Sequence, residues 1–137
     1  MTEVVVDCSA VVPWFFPEEK CGPATALFED ARRGRLVCLA PSLLQAEFGN
    51  VVWKKIRRNQ CGLSSAAMQL ELFQKAGIYC FEIKHLLPEA LLLACRHEIT
   101  VYDALYLALA RYAKASLATL DEALRKRARD AGVALYE

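Results

Sequence analysis

The chain opens on an unbroken apolar run, Val4-Val5-Val6, that stops at Asp7. Its β-branched residues and lack of polar alternation predict a strand, Thr2 to Asp7, buried on both faces. Ser9 opens a short apolar helix, Ala10 to Phe16, ended by Pro17. Glu18-Glu19-Lys20 connects to a helix from Ala24 to Arg33. Ala24, Leu27, Phe28 and Ala31 share one of its faces, and Gly34 stops it. Leu36 to Ala40 is the second buried strand. Pro41-Ser42 starts a long helix to about Asn59, with Leu44, Phe48, Val51, Val52 and Ile56 as its apolar stripe. Gln60-Cys61-Gly62 breaks the chain. Ser64 then caps a helix from Ser65 to Ala76, which Gly77 closes.

Ile78 to Ile83 predicts the third strand, and Leu86 to His97 a helix entered through Pro88. Val101 to Tyr112 is apolar almost all round, as a helix central to a domain is. Ala115 to Leu120 is the fourth strand, Glu122 to Ala131 a helix stopped by Gly132, and Val133 to Tyr136 a short fifth strand. Strands alternating with helices predict an α/β fold: one parallel sheet of five strands with helices on both faces. No repeat, linker or low-complexity segment divides the chain, so residues 1–137 are expected to form one domain.

Composition narrows the class. The 137 residues are 55% hydrophobic, enough for a substantial core, and the net charge of +1 leaves any basic surface local. Asp7 interrupts Val4 to Val12, and Pro88 and Glu89 interrupt Leu86 to Cys95, so no run reaches membrane-spanning length. The start lacks a basic segment and a small-residue cleavage site. A cytoplasmic protein without membrane association is the expectation, with no appended domain after Tyr136. Six cysteines at 8, 21, 38, 61, 80 and 95 never form C-x-x-C, which argues against zinc. Cys8, Cys38, Cys80 and Cys95 are read as core fillers, and any disulfide pairing stays open.

The chemistry gathers on four acids. Asp7 ends the first strand and Asp121 the fourth, at the carboxyl edge where open α/β sheets bind ligands. Glu47 lies in the first half of the long helix. Asp103 is the one acid between Glu98 and Asp121 and sits near the start of the apolar helix. A buried charge costs several kcal/mol unless it is paired or bound to a metal. Each acid taken alone has a plainer reading: Asp121 caps a helix, and Glu47 pairs with Lys54 or Arg57. Taken together, carboxylates with few basic neighbours make a hard-cation site for Mg²⁺ or Mn²⁺, suited to phosphodiester chemistry. Ser9 and Thr119 add hydroxyls near the same rim, and Asn50 an amide one turn after Glu47.

These motifs resemble those of PIN domains, and most closely the VapC-type toxins of toxin–antitoxin pairs. The matching segments are Val4 to Ala10 with its D-x-S, Pro41 to Val51 around Glu47, Tyr102 to Ala110 around Asp103, and the T-x-D-x-x-L from Thr119 to Leu124. Together they span nearly the whole chain. The resemblance implies a sheet in the order 3-2-1-4-5 and a Mg²⁺- or Mn²⁺-dependent endoribonuclease. It also implies homodimers and inhibition by a VapB-like antitoxin. Asp7, Glu47, Asp103 and Asp121 become the catalytic and metal-binding acids, supported by Ser9 and Thr119. The alternative is a PIN fold kept for binding RNA or protein, without nuclease activity; the four intact acids argue against it.

Other acidic-site enzymes fit less well. A haloacid-dehalogenase-type phosphatase needs an acid at position 9, which is Ser, and a receiver domain needs one at position 8, which is Cys. Neither phosphate-binding glycine motif occurs. Lys54, Lys55, Arg57 and Arg58 end the long helix, and Arg125 and Lys126 lie in the last helix; contact with an RNA backbone and ordinary helix-end placement of bases both account for them. Arg32 to Arg35 are assigned to helix-end placement alone. Phe15 and Phe16 are assigned to the core, while Trp14 and Trp53 stay open between core and stacking surface. His85 and His97 have no partner at catalytic spacing.

Overall fold

A computed structural model describes residues 2–137. Four strands, β1 (Thr2–Val6), β2 (Leu36–Pro41), β3 (Tyr79–Phe81) and β4 (Ser116–Ala118), pair in parallel in the order β3-β2-β1-β4. Val4 lies opposite both Cys38 and Ser116, so β1 is central and every carboxyl end points the same way. Parallel neighbours need crossover connections, and helices supply them.

Alternate strand residues serve two cores. Val5, Leu39 and Leu117 face α5 (Leu87–His97), α6 (Val101–Ala113) and α7 (Glu122–Asp130). Val4, Val6, Cys38, Ala40 and Ala118 face α1 (Cys8–Val11), α2 (Gly22–Arg32), α3 (Leu43–Arg57) and α4 (Leu63–Gln74). Helices on both faces explain why β1 carries no polar alternation. Every residue from Ala104 to Ala110 is buried, as the all-round apolar pattern of α6 predicts. No helix among the described residues is long and apolar enough to cross a membrane.

The expected fifth strand is not formed. Leu135 makes one isolated parallel bridge to Leu117, held by Leu117 N–H to Ala134 O at 2.8 Å and Tyr136 N–H to Leu117 O at 2.9 Å. The segment docks on the expected side of β4. However, β4 has only three residues to pair with, and the left-handed turn at Gly132 starts the approach late.

Other boundaries move for local reasons. Pro13 has no N–H to donate, so α1 ends at Val11 and a 3₁₀ turn runs from Val12 to Trp14. Pro41 completes β2 opposite Phe81 rather than opening α3, because a proline can end an extended strand. Gly62, not Ser64, precedes α4, which leaves Ser64 inside the helix. Cys95 is exposed on the outer side of α5 and fills no core; all six cysteines are free. Phe15, Phe16, Phe48 and Phe73 pack together, and Trp14 donates its indole N–H to Ala24 O at 3.0 Å, which places it with the scaffold.

Candidate active site

Asp7 follows β1 directly and caps α1, because its side chain accepts the Ala10 N–H at 3.1 Å. The same oxygen, Oδ1, accepts the Ser9 hydroxyl at 2.7 Å, and Oδ2 accepts the Thr119 hydroxyl from the end of β4. Each hydroxyl has one proton, and both go to Asp7. The 3.2 Å approach of Ser9 to Thr119 is therefore contact between two acceptors. Those oxygens in turn accept backbone N–H groups, Ser9 from Leu120 at 2.8 Å and Thr119 from Asp121 at 3.1 Å. The hydroxyls thus lock the ends of two adjacent strands around one carboxylate.

That carboxylate is 7% exposed and no cation meets it. Burial raises its pKa above the ordinary aspartate value. The Thr119, Ser9 and Ala10 bonds pull the other way, and the charge of Asp121 adds to the rise. Glu47, half-buried on α3, behaves similarly: burial and the charges of Asp7 and Asp103 raise its pKa against the bond it accepts from the Tyr106 hydroxyl. Asp103, half-buried on the first turn of α6, is raised by burial and by Asp121. Thr100 caps that helix by accepting the Asp103 N–H at 3.1 Å, which fixes where Asp103 leaves the backbone. Asp121 is exposed and caps α7 through Ala123 N–H at 2.9 Å and Leu124 N–H at 3.2 Å.

The four acids therefore act on one another electrostatically from four elements. None forms an ion pair among the described residues. In particular, Glu47 pairs with neither Lys54 nor Arg57; Tyr106 is its partner. Unpaired, all-oxygen donors suit a hard divalent cation in type and charge, and the raised pKa values of Asp7, Glu47 and Asp103 show the repulsion and burial such a cation would relieve. Among the described residues, no three acid, His or Cys side chains stand close enough to enclose an ion as they are placed here.

The neighbours divide clearly. Tyr106 was missed in the sequence, where it looks like one more core residue of α6. The available signal was its place three residues after Asp103, on the same helix face. Cys8 beside Asp7 is no nucleophile: burial and the charges of Glu47, Asp7 and Glu19 push its thiol up to about 12. Asn50 is exposed, and its side chain makes no hydrogen bond among the described residues. Lys55 is buried, with its ammonium committed to Glu18 at 3.1 Å and to Glu19, over the Phe16 ring. Arg57 covers the exposed Trp53 ring at 5.3 Å. Arg125 donates to Thr119 O at 3.2 Å and to Glu137 at 2.9 Å, so it braces the end of β4. Lys54, Arg58 and Lys126 are exposed.

Comparison with known proteins finds likenesses that span most of the chain. The family model for the PIN domain matches residues 4–130. The chain is 32% identical over 129 residues to Ribonuclease VapC3 of Pyrobaculum aerophilum, covering 91% of this chain and 94% of that protein. The crystal structure of PAE2754 from the same organism superposes with a TM-score of 0.70 at 25% identity, covering 92% of this chain and 86% of that one.

Proposed function

The chain belongs to the PIN domain family, and from that premise we propose that it is a Mg²⁺- or Mn²⁺-dependent endoribonuclease, the toxin of a toxin–antitoxin pair. A VapB-like antitoxin would be its inhibitor and a homodimer its working form. One observation carries the reading: Asp7 is buried without a cation, held by two hydroxyls, and coupled to the charges of Glu47 and Asp121, each of which also acts with Asp103. A fold does not keep four like charges together for stability, since each raises the cost of ionising the next. The likeness to a protein named as a ribonuclease supports the same activity here.

Asp7, Glu47, Asp103 and Asp121 would hold the cation. When bound, it supplies positive charge for the scissile phosphate and lowers the pKa of water. The chain's own work is positioning. Ser9 and Thr119 hold both oxygens of Asp7, Tyr106 holds Glu47, and the caps on α6 and α7 fix Asp103 and Asp121. Hydrolysis then joins the water oxygen to phosphorus, breaks the opposite P–O bond in line, and leaves a proton on the departing oxygen.

The test is cleavage of a pool of structured and single-stranded RNAs by wild type and Asp103→Asn, each with EDTA, Mg²⁺ or Mn²⁺. Cleavage by wild type alone, and only with metal, is expected. Cleavage that survives either EDTA or Asp103→Asn would refute the mechanism.

A further inference from the structure

We propose that the RNA strand leaves the acidic site along one flank of α3 and lies as a single strand in the groove beside it, with Lys54 and Arg58 holding its phosphates. This rests on the ribonuclease reading and adds to it the path and form of the substrate.

Glu47, Val51, Lys54 and Arg58 stand at i, i+4, i+7 and i+11, which stacks them on one flank of a helix. At about 1.5 Å of rise per residue, Lys54 lies about 10 Å and Arg58 about 16 Å beyond Glu47 along the axis. The row therefore begins in the acidic site and ends in two cations, a few nucleotides away. A cavity of about 760 Å³ follows the same flank from Val51 onward, between α3 and the 3₁₀ turn Pro17–Glu19.

Charge bookkeeping separates the cations. Glu18 and Glu19 would repel a phosphate, but the buried Lys55 ammonium lies against both and offsets one of the two charges, so that with Lys54 and Arg58 the cations of the groove outnumber its acids. Lys54 and Arg58 are exposed and have no ion pair or side-chain hydrogen bond among the described residues. Uncommitted cations are what phosphate binding needs, since each contact releases a counterion from the nucleic acid. A cavity of this volume has room for a few nucleotides of one strand and none for a duplex.

The experiment uses the full chain carrying Asp103→Asn, so that RNA survives, and a short labelled single-stranded RNA of mixed sequence. Anisotropy gives the affinity across a salt series. Lys54→Gln and Arg58→Gln should each flatten the log affinity against log salt by about 0.7, the value for one phosphate contact on a single strand. Lys114→Gln removes the same charge at the far end of α6 and should leave the slope alone. With active enzyme, the Lys54→Gln/Arg58→Gln pair should raise KM for RNA and leave kcat within about twofold, as loss of uniform binding does. Melting curves confirm that each variant is folded. If the parent binds RNA and both slopes stay unchanged, the path is wrong while the ribonuclease reading stands. If the parent binds no single-stranded RNA at low salt and wild type cleaves none, both fall together.

Discussion

The Tyr106 hydroxyl, on a side chain only 2% exposed, donates its hydrogen bond to Glu47 and so joins α6 to α3 at the acidic site. Burial and the neighbouring acids hold the phenol far above its ordinary pKa, so it stays a donor at any working pH. A donor that cannot ionise fixes one oxygen of Glu47 and leaves the other for a ligand. Tyr106→Phe keeps the ring packing and removes that restraint. We expect kcat for RNA cleavage to fall about tenfold, equivalent to about 1.4 kcal/mol, with the fold intact by circular dichroism. Unchanged kcat would reduce Tyr106 to a packing residue.

Asp7 supplies a prediction whose sign depends on pH. Its folded-state pKa is raised, chiefly by burial, so the folded protein holds the Asp7 proton more tightly than the unfolded chain does. Ionising Asp7 therefore lowers stability as pH climbs through the unfolded value, about 3.9, toward the folded one. Asp7→Asn escapes that cost. In EDTA at neutral pH the variant should melt above wild type, and the gap should close as pH falls below about 4, where Asp7 is protonated in both states. A variant melting lower at neutral pH would mean that the hydrogen bonds to Ser9, Ala10 and Thr119 need the charge more than burial opposes it.

The residues behind these two predictions differ in how legible they were in the sequence. Val4 to Val6 carry a continuous β-branched run because both sheet faces are covered, and that pattern survives without knowledge of the partners. Asp121 announces itself as a cap by standing between an apolar run and a basic helix. Glu47 was visible as an odd acid, but its partner was not. Tyr106 lies 59 residues away, and nothing local distinguishes a donor from a core aromatic. Pro41 and Val133 to Tyr136 were misread for a related reason. Whether an extended segment becomes a strand depends on the length of its neighbour, here three residues in both β3 and β4.

Divalent metal should stabilise the protein, and the gain should grow with the logarithm of its concentration once that exceeds the Kd. Four mutually repelling acids without cationic partners make the metal-free fold the less stable state. A ligand that binds only the folded chain adds about 2.7 kcal/mol at a hundredfold excess over its Kd. Mg²⁺ or Mn²⁺ should therefore raise Tm with concentration, and Asp7→Asn should blunt the rise. Equal shifts in wild type and Asp7→Asn would place the metal somewhere other than this site.

The Lys55 cluster predicts an asymmetry between two ways of breaking it. The ammonium is buried, while Glu18 and Glu19 keep roughly half of their side-chain surface in water, at 53% and 43%. Burial opposes the Lys55 charge, yet its bonds to Glu19 and Glu18 more than offset this and leave its pKa raised. Removing the lysine as Lys55→Met keeps the aliphatic packing over Phe16 and returns both glutamates to solvent, so the loss should be about 1 kcal/mol. Removing both acids, as Glu18→Gln with Glu19→Gln, strands a buried cation and should cost about 3 kcal/mol or more. Urea unfolding of the two variants measures the difference. Equal costs would show that water reaches Lys55 in the folded protein, and that the 3₁₀ turn from Pro17 to Glu19 is not held against α3 by this charge.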